Sequence, residues 1–262
     1  MRFRAFAVSA FAVAILAGCG GDDESSPDAR STVPPTAGPA ETATVPDAAP
    51  AILKVYFLRD GKVAVASRSV VAGPAVARAA LVQLLEGPTA AESARGLRSA
   101  IPAGTELEDV VIDDDDTAVV ELSQSLDGAA TAQVVYTLTQ FPSVRRVRLE
   151  GVDHIRADFE EQTPAILVES PVPGEDVSSP LRIEGTANTF EATFQVEVVD
   201  ARGRVLGQRF VTATSGSGER GTFDAAVTFE AMPGPVTLVT YEVSAEDGSR
   251  INETEMPLRV AP

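Results

Sequence analysis

The 262-residue sequence is poor in the residues that most catalytic and metal sites use. It contains one histidine, His154, one cysteine, Cys19, and no tryptophan. Neither a CxxC nor an HExxH motif occurs, so the usual zinc ligands are missing and we expect no zinc site. His154 also lacks a nucleophile motif such as G-x-S-x-G, and a serine nucleophile needs a base held within hydrogen-bond reach. These absences predict a protein that is not an enzyme and uses no cofactor.

Basic residues are also scarce. There are 21 Lys and Arg against 38 Asp and Glu, a formal net charge of -17. Nucleic acids and anionic wall polymers bind clustered Lys and Arg, so neither is an expected partner. Arg145, Arg146 and Arg148 form the one basic cluster of the sequence. They form either a solvated strand face balanced by nearby carboxylates, or a docking strip for an acidic partner or a neighbouring copy.

The N-terminal residues predict export and lipid attachment. Residues 1–18 have a basic start followed by an uncharged apolar run, as in a secretory signal peptide. The run ends in Leu16-Ala17-Gly18-Cys19, which resembles the bacterial lipobox and implies cleavage before Cys19 and lipid attachment to it. Two or three acyl chains, palmitate among them, would hold the protein on the outer side of the cell membrane.

Residues 20–50 contain six prolines and only two sizeable apolar side chains, Val33 and Val45. This composition cannot offset the entropy lost on ordering. Together with Cys19, the segment 19–50 is therefore predicted to be a disordered tether between the lipid and the folded part.

Residues 51–152 alternate between strand-like and helix-like runs. Asp60-Gly61 joins the runs Ala51–Arg59 and Lys62–Val71, a strong hairpin signal. Further runs predict a helix from Pro74 to Glu86, a hairpin of Leu107–Ile112 and Thr117–Leu122, a helix Gly128–Phe141 capped by Asp127, and a strand Val144–Leu149. The order ββαββαβ predicts two helices that cover one face of a mostly antiparallel sheet.

The motifs SR-x-V, LLEGP, SAIPAGT and YTLTQFPSV, in this order, resemble the GerMN domain family of spore germination proteins. The resemblance covers residues 51–152 and places family motif positions at Arg68, Gly87, Pro88, Ile101, Pro102 and Gly104. It implies a small α/β domain similar to ring-building motifs, which assemble and recognise partners without catalysis. The glycines and prolines have a structural explanation as stops and turns, and Arg68, in an apolar strand, is expected to snorkel or to pair with a carboxylate.

The pattern is lost in residues 153–164, which we interpret as a linker that places His154 in an interdomain joint. Residues 165–262 then contain seven short apolar runs separated by turn residues, the pattern of a β-sandwich. The stretch ESPVPGEDVSSPLRIEGTANTFEATFQVEVVD resembles the immunoglobulin-like domain that accompanies GerMN domains. The fold class is therefore α+β, with an α/β domain followed by a β-sandwich.

Four aspartates, Asp113 to Asp116, lie between the two strands of the second hairpin. Calcium prefers several carboxylate oxygens, but the EF-hand spacing with its distal glutamate is missing. A solvated hairpin tip explains the run equally well, so both interpretations stay open.

These observations predict a lipid-anchored, extracytoplasmic protein that assists assembly of a cell-envelope complex through protein contacts. Its partner is expected to be an envelope protein or another copy, and the resemblance suggests sporulation or germination as the process. The alternative is a binding module for cell-wall glycan or a small ligand. Sugar sites use aromatic platforms, and the three tyrosines, Tyr56, Tyr136 and Tyr241, each lie in an apolar run.

Overall fold

The computed structural model describes residues 50–71, 73 and 75–261. The predicted signal peptide, the lipidation site Cys19 and the tether up to residue 49 lie outside these residues, as does Pro74. The described residues belong to one compact unit. Within them, no helix has both the length and the hydrophobicity of a membrane-spanning segment.

The first half of the described chain is an α/β domain whose predicted strands and long helices are all present. Its elements are β1 (Pro50–Arg59), β2 (Lys62–Val71), α1 (Val76–Leu85), α2 (Ala90–Ala94), β3 (Leu107–Ile112), β4 (Thr117–Leu122), α3 (Gly128–Leu138), β5 (Arg146–Leu149) and β6 (Val152–His154). The strands form two separate sheets, β1–β2 and β3–β4–β5–β6, and β4 runs parallel to β5. The prediction of one sheet was therefore wrong.

Side chains of α3, and of Gln140 just after it, explain why β1 pairs with no second strand among the described residues. The amide of Gln140 accepts from the Lys54 N–H at 2.9 Å and donates to the Lys54 carbonyl at 2.6 Å. The Tyr56 N–H donates to Thr137 Oγ1 at 3.1 Å, and the Tyr56 carbonyl accepts from Gln133 Nε2 at 3.0 Å. Gln133 and Thr137 lie one turn apart on the same face of α3, and Gln140 lies in the turn that follows the helix. These side chains thus satisfy backbone groups that a neighbouring strand usually satisfies.

The same edge continues to Leu58. Its N–H and carbonyl each bond to the backbone of Arg98 at 2.8 Å, which forms an isolated antiparallel bridge. This bridge holds the loop after α2 against the tip of the β1–β2 hairpin.

The sequence between Pro88 and Thr105 predicts a loop or a weak helix, and the structure contains the short helix α2 there. A capping box starts this helix: Thr89 Oγ1 accepts from the Glu92 N–H at 3.3 Å, and the Glu92 carboxylate accepts from the Thr89 N–H at 2.8 Å. Asp127 occupies the N-cap position of α3, but its side chain makes no capping hydrogen bond. The prediction was therefore correct about the N-cap position of Asp127 and wrong about a capping hydrogen bond from its side chain.

The segment interpreted as a linker, 153–164, is ordered structure. Its first residues belong to β6, which pairs with β5. A 3₁₀ segment, Arg156–Gln162, follows and packs on α3, with Phe159 buried. The sequence shows no period here because the chain changes direction within a few residues.

The second half is the β-sandwich that the sequence predicts. All seven predicted runs are strands, and a two-residue strand is added: β7 (Ile166–Ser170), β8 (Asp176–Val177), β9 (Leu181–Ala187), β10 (Thr193–Asp200), β11 (Val205–Thr212), β12 (Gly221–Val227), β13 (Gly234–Val243) and β14 (Arg250–Val260). The sheets have the strand orders β12–β9–β7 and β11–β10–β13–β14–β8. Phe194 and Phe223 meet in the core with ring centroids 4.9 Å apart.

Candidate interaction site

Arg68, the charged motif position, forms an ion pair in a mostly buried environment. Its guanidinium donates to both Glu92 oxygens at 2.6 and 2.8 Å, and the two side chains are 11% and 9% exposed. It also donates to the Gly87 carbonyl and lies 5.4 Å from the centroid of the Phe57 ring. Burial raises the pKa of Glu92, but the hydrogen bonds from Arg68 and Thr89 outweigh burial and leave that pKa lowered. Arg68 therefore ties β2 to the corner between α1 and α2.

The other motif positions, Gly87, Pro88, Ile101, Pro102 and Gly104, lie on both sides of α2. Gly87 and Gly104 both have φ of +81°, the left-handed conformation that the LLEGP and SAIPAGT motifs predict. Ile101 is buried in the core of the α/β domain. These positions shape the chain between α1 and β3.

The basic cluster at Arg145, Arg146 and Arg148 is balanced by aspartates. Arg148 forms a two-pronged pair with Asp153 at 2.6 and 3.0 Å, and Arg146 lies 3.8 Å from the same carboxylate. Arg145 Nε lies 3.0 Å from an oxygen of Asp116. The geometry agrees with the interpretation of a balanced surface, and the docking strip stays a prediction.

The aspartate run and His154 are not brought into a common cluster. Asp113 Oδ1 accepts from the N–H groups of Asp115 and Thr117 at 3.0 and 2.9 Å and so closes the hairpin turn. The His154 ring lies 5.8 Å from the Phe159 ring. In the part of the chain that the structure describes, no group of three or more His, Cys, Asp and Glu side chains is arranged to hold a metal.

A polar network around Arg156 joins the two halves. Its guanidinium donates to Glu169 of β7 at 2.9 Å and to Thr139 Oγ1 at 2.6 Å, and it lies 4.7 Å from the centroid of the Tyr136 ring. The Tyr56 hydroxyl donates to the same Glu169 carboxylate. Burial raises the pKa of Tyr56 well above its ordinary value, and the nearby Glu169 charge adds to this effect, so the hydroxyl stays protonated.

A second ion pair and shared apolar packing strengthen the joint. Arg220 of the sandwich binds both oxygens of Glu160 at 2.9 Å, and this hydrogen bonding holds the pKa of Glu160 below its usual range. Leu167 and Val172 pack into the hydrophobic core of the α/β domain together with Phe159. The two halves therefore share one continuous boundary.

A groove of about 680 Å³ lies between the two halves beside this joint. Residues 63–65 of β2 line one side, and residues 166–168 of β7 and 252–257 of β14 line the sandwich side. Three cationic residues, Arg59, Lys62 and Arg95, also line the groove, and the sequence analysis missed them. They are separated along the chain, so no charge run marks them. The one sequence feature that could have indicated them is the Asp60-Gly61 hairpin turn, which places Arg59 and Lys62 side by side.

Comparisons with known proteins match two separate parts of the chain. Residues 54–153 match the family described as sporulation and spore germination. Residues 165–249 match the family described as an immunoglobulin-like domain of bacterial spore germination. Both matches confirm the resemblances that the sequence motifs suggested.

Two solved structures of one Bacillus subtilis protein are similar to parts of the chain. The first GerMN domain of the sporulation protein GerM is 26% identical, with a TM-score of 0.33, over 40% of this chain and 86% of that domain. The tandem GerMN domains of GerM are 15% identical, with a TM-score of 0.33, over 68% of this chain and 61% of that protein. No curated protein matches the chain significantly.

Proposed function

We propose that this protein acts in sporulation or germination as a lipid-anchored envelope protein, held outside the cytoplasm, that binds other proteins and catalyses no reaction. Two family matches support the process: residues 54–153 match the sporulation and spore germination family, and residues 165–249 match an immunoglobulin-like domain of bacterial spore germination.

The joint around Arg156 is the observation that carries this proposal. An assembly protein must present its binding surfaces in a fixed relation, whereas domains joined by a solvated linker move independently. Here Arg156, Glu169 and Tyr56 form a polar network across the boundary, and the side chains of Arg156 and Glu169 are only 26% and 14% exposed. The α/β domain and the sandwich thus offer their surfaces to partners as one body.

Anchoring through Cys19 is tested by replacing it. The wild-type protein is expected in the membrane fraction of the cells that produce it, because acyl chains on Cys19 hold it there. Cys19→Ala should lose the lipid-dependent part of this association and should not incorporate labelled palmitate. Labelling of Cys19→Ala equal to that of the wild type would exclude Cys19 as the lipidation site.

Partner binding is tested by chemical crosslinking of the anchored, full-length protein in intact cells. Reproducible capture of one envelope protein supports the proposed function, and capture of the same chain alone indicates self-association. A parallel pull-down on isolated cell wall tests the glycan-binding alternative. Retention on wall material without any protein partner would favour that alternative and contradict the assembly role.

The docking strip Arg145, Arg146 and Arg148 remains part of this proposal as one contact surface. The double variant Arg146→Glu and Arg148→Glu reverses its charge. If the strip contacts the partner, this variant should capture much less of it. Unchanged capture would rule the strip out.

A further inference from the structure

The groove between the two halves has an apolar floor. Ala64 of β2, Ala165, Pro173 and Met256 of β14 line it, and each is half-buried, so part of its apolar surface stays exposed. Such a floor, in a groove that is open to solvent, gives apolar side chains of a bound segment a surface to bury.

One side of the groove is the open edge of β2, which pairs only with β1 among the strands of the described residues. Opposed residues of an antiparallel pair exchange both backbone hydrogen bonds or neither. The backbone N–H and carbonyl groups of Tyr56 bond to α3, and those of Leu58 bond to Arg98, so neither residue bonds to β2. Val65 and Val63, which lie opposite Tyr56 and Leu58 on β2, therefore direct their own N–H and carbonyl groups away from β1 and into the groove side of the strand. Open edges of this kind bind extended peptides as an added strand.

The cations of the groove lack acidic partners. Among the described residues, no carboxylate oxygen lies within 4.0 Å of the charged nitrogens of Arg59, Lys62 or Arg95. Arg59 and Lys62 instead donate to the backbone carbonyls of Glu255 and Glu161, and Arg59 Nε is buried without any partner. In a chain of net charge -17, three cations without ion pairs in one groove are complementary to an acidic ligand.

The sandwich side of the groove carries Glu253 and Glu255, whereas the α/β side carries three cations and one carboxylate, Asp60. Carboxylates of a ligand are therefore repelled from the sandwich side and attracted to the α/β side, where cations outnumber anions. In an extended segment, successive side chains point to opposite sides, so acidic and apolar residues can alternate between the cations and the floor. The charge distribution thus selects one orientation of the segment.

We propose that this groove binds an extended acidic segment of a partner protein. The segment pairs its backbone with the β2 edge, places apolar side chains on the floor and directs carboxylates to Arg59, Lys62 and Arg95. This inference rests on the proposed function, because it assigns a surface and a partner chemistry to the protein binding proposed above.

The test places a photo-crosslinking amino acid in the full-length protein in the cells that produce it. One probe replaces Glu253, which is exposed and lines the groove. A second probe replaces Val119, which pairs with Arg148 beside the docking strip. Mass spectrometry then identifies the crosslinked peptides.

We expect the probe at position 253 to capture a partner peptide that contains two or more Asp or Glu residues. The variant Lys62→Glu with Arg95→Glu should reduce this capture at least ten-fold, because both side chains are exposed and the change leaves the core intact. The matched control is Arg202→Glu with Arg209→Glu, which changes the net charge equally on exposed sandwich residues away from the groove and should leave capture unchanged.

Three outcomes would overturn the proposal: no capture at position 253, capture of a segment of the chain itself, or capture that resists the Lys62 and Arg95 reversal. Capture at position 119 without capture at 253 would overturn the groove and leave the protein-binding function standing. Failure at both positions, together with failure of chemical crosslinking, would overturn both.

Discussion

Replacing Arg68 tests whether its buried ion pair with Glu92 stabilises the fold more than an exposed ion pair does. Arg68→Ala leaves the carboxylate of Glu92 in a mostly buried position without its cation. Loss of one partner of a buried pair costs about 3 kcal/mol or more. We expect the free energy of unfolding, measured with urea, to fall by about that amount.

The matched control is Arg78→Ala, whose partner Asp109 lies in an exposed pair. Exposed pairs contribute about 1 kcal/mol or less, so this variant should unfold close to the wild-type midpoint. Equal losses in both variants would show that the Arg68 pair is no more important than a surface contact.

The lowered pKa of Glu92 predicts a dependence of stability on pH. The folded state favours the ionised carboxylate, so this contribution is complete above the ordinary titration range near pH 4.3 and is lost as the pH falls through the lowered pKa. Glu92→Gln has no carboxylate to protonate. Urea unfolding between pH 6 and pH 3 should therefore show a smaller loss for Glu92→Gln than for the wild type. Parallel curves for the two proteins would contradict this assignment.

For single residues, the sequence predicted the kind of contact that a side chain makes better than the residue that it contacts. The apolar strand around Arg68 predicted snorkelling or a carboxylate partner, and the structure shows the partner. Its identity was out of reach because Glu92 lies on α2, a five-residue helix too short to show a period. The groove cations were missed for a related reason: folding brings them together, whereas Arg145, Arg146 and Arg148 are visible as a run.

The contact between α3 and β1 is a feature at the scale of elements. Gln133 is fully buried, and its amide donates to the Tyr56 carbonyl and accepts from the Ala100 N–H at 2.7 Å. Gln133→Leu approximately keeps the side-chain volume but leaves two backbone groups without partners. Each such group costs about 1 to 3 kcal/mol. We expect the free energy of unfolding to fall by about 3 kcal/mol in chemical denaturation.

Gln83→Leu on α1 is the control for this substitution. Within the described part of the chain, the Gln83 amide bonds only to the nearby Glu86 side chain at the surface. Its unfolding free energy should change by about 0.5 kcal/mol or less. A wild-type midpoint for Gln133→Leu would mean that the Tyr56 edge finds other partners.

Strands and turns of this chain were predictable because their signals are local. Asp60-Gly61 and the alternation around it define the first hairpin, and the same logic found seven strands of the sandwich. Sheet pairing is not local. Gln133 and Gln140 look like ordinary polar helix positions in the sequence, and only the packed structure shows that they replace a strand beside β1.

At the scale of the whole molecule, the joint predicts cooperative unfolding of the two halves. The core of the α/β domain includes Leu167 and Val172 of the second half, while the rest of the sandwich has a core of its own. Two cores linked by a polar network should unfold together as long as the network is intact. Differential scanning calorimetry of the wild-type protein is expected to show one transition.

Arg156→Leu tests this coupling, because it removes the cation that holds Glu169 near Tyr56 and leaves both sandwich sheets untouched. The carboxylate is only 14% exposed, so its unpaired charge favours separation of the halves. We expect the calorimetric trace to split into two transitions, one for each half. Arg182→Ala, which breaks an exposed pair within the sandwich, should keep one transition. A single, shifted transition in Arg156→Leu would mean that the network stabilises one half alone, and the argument for one rigid body would fail.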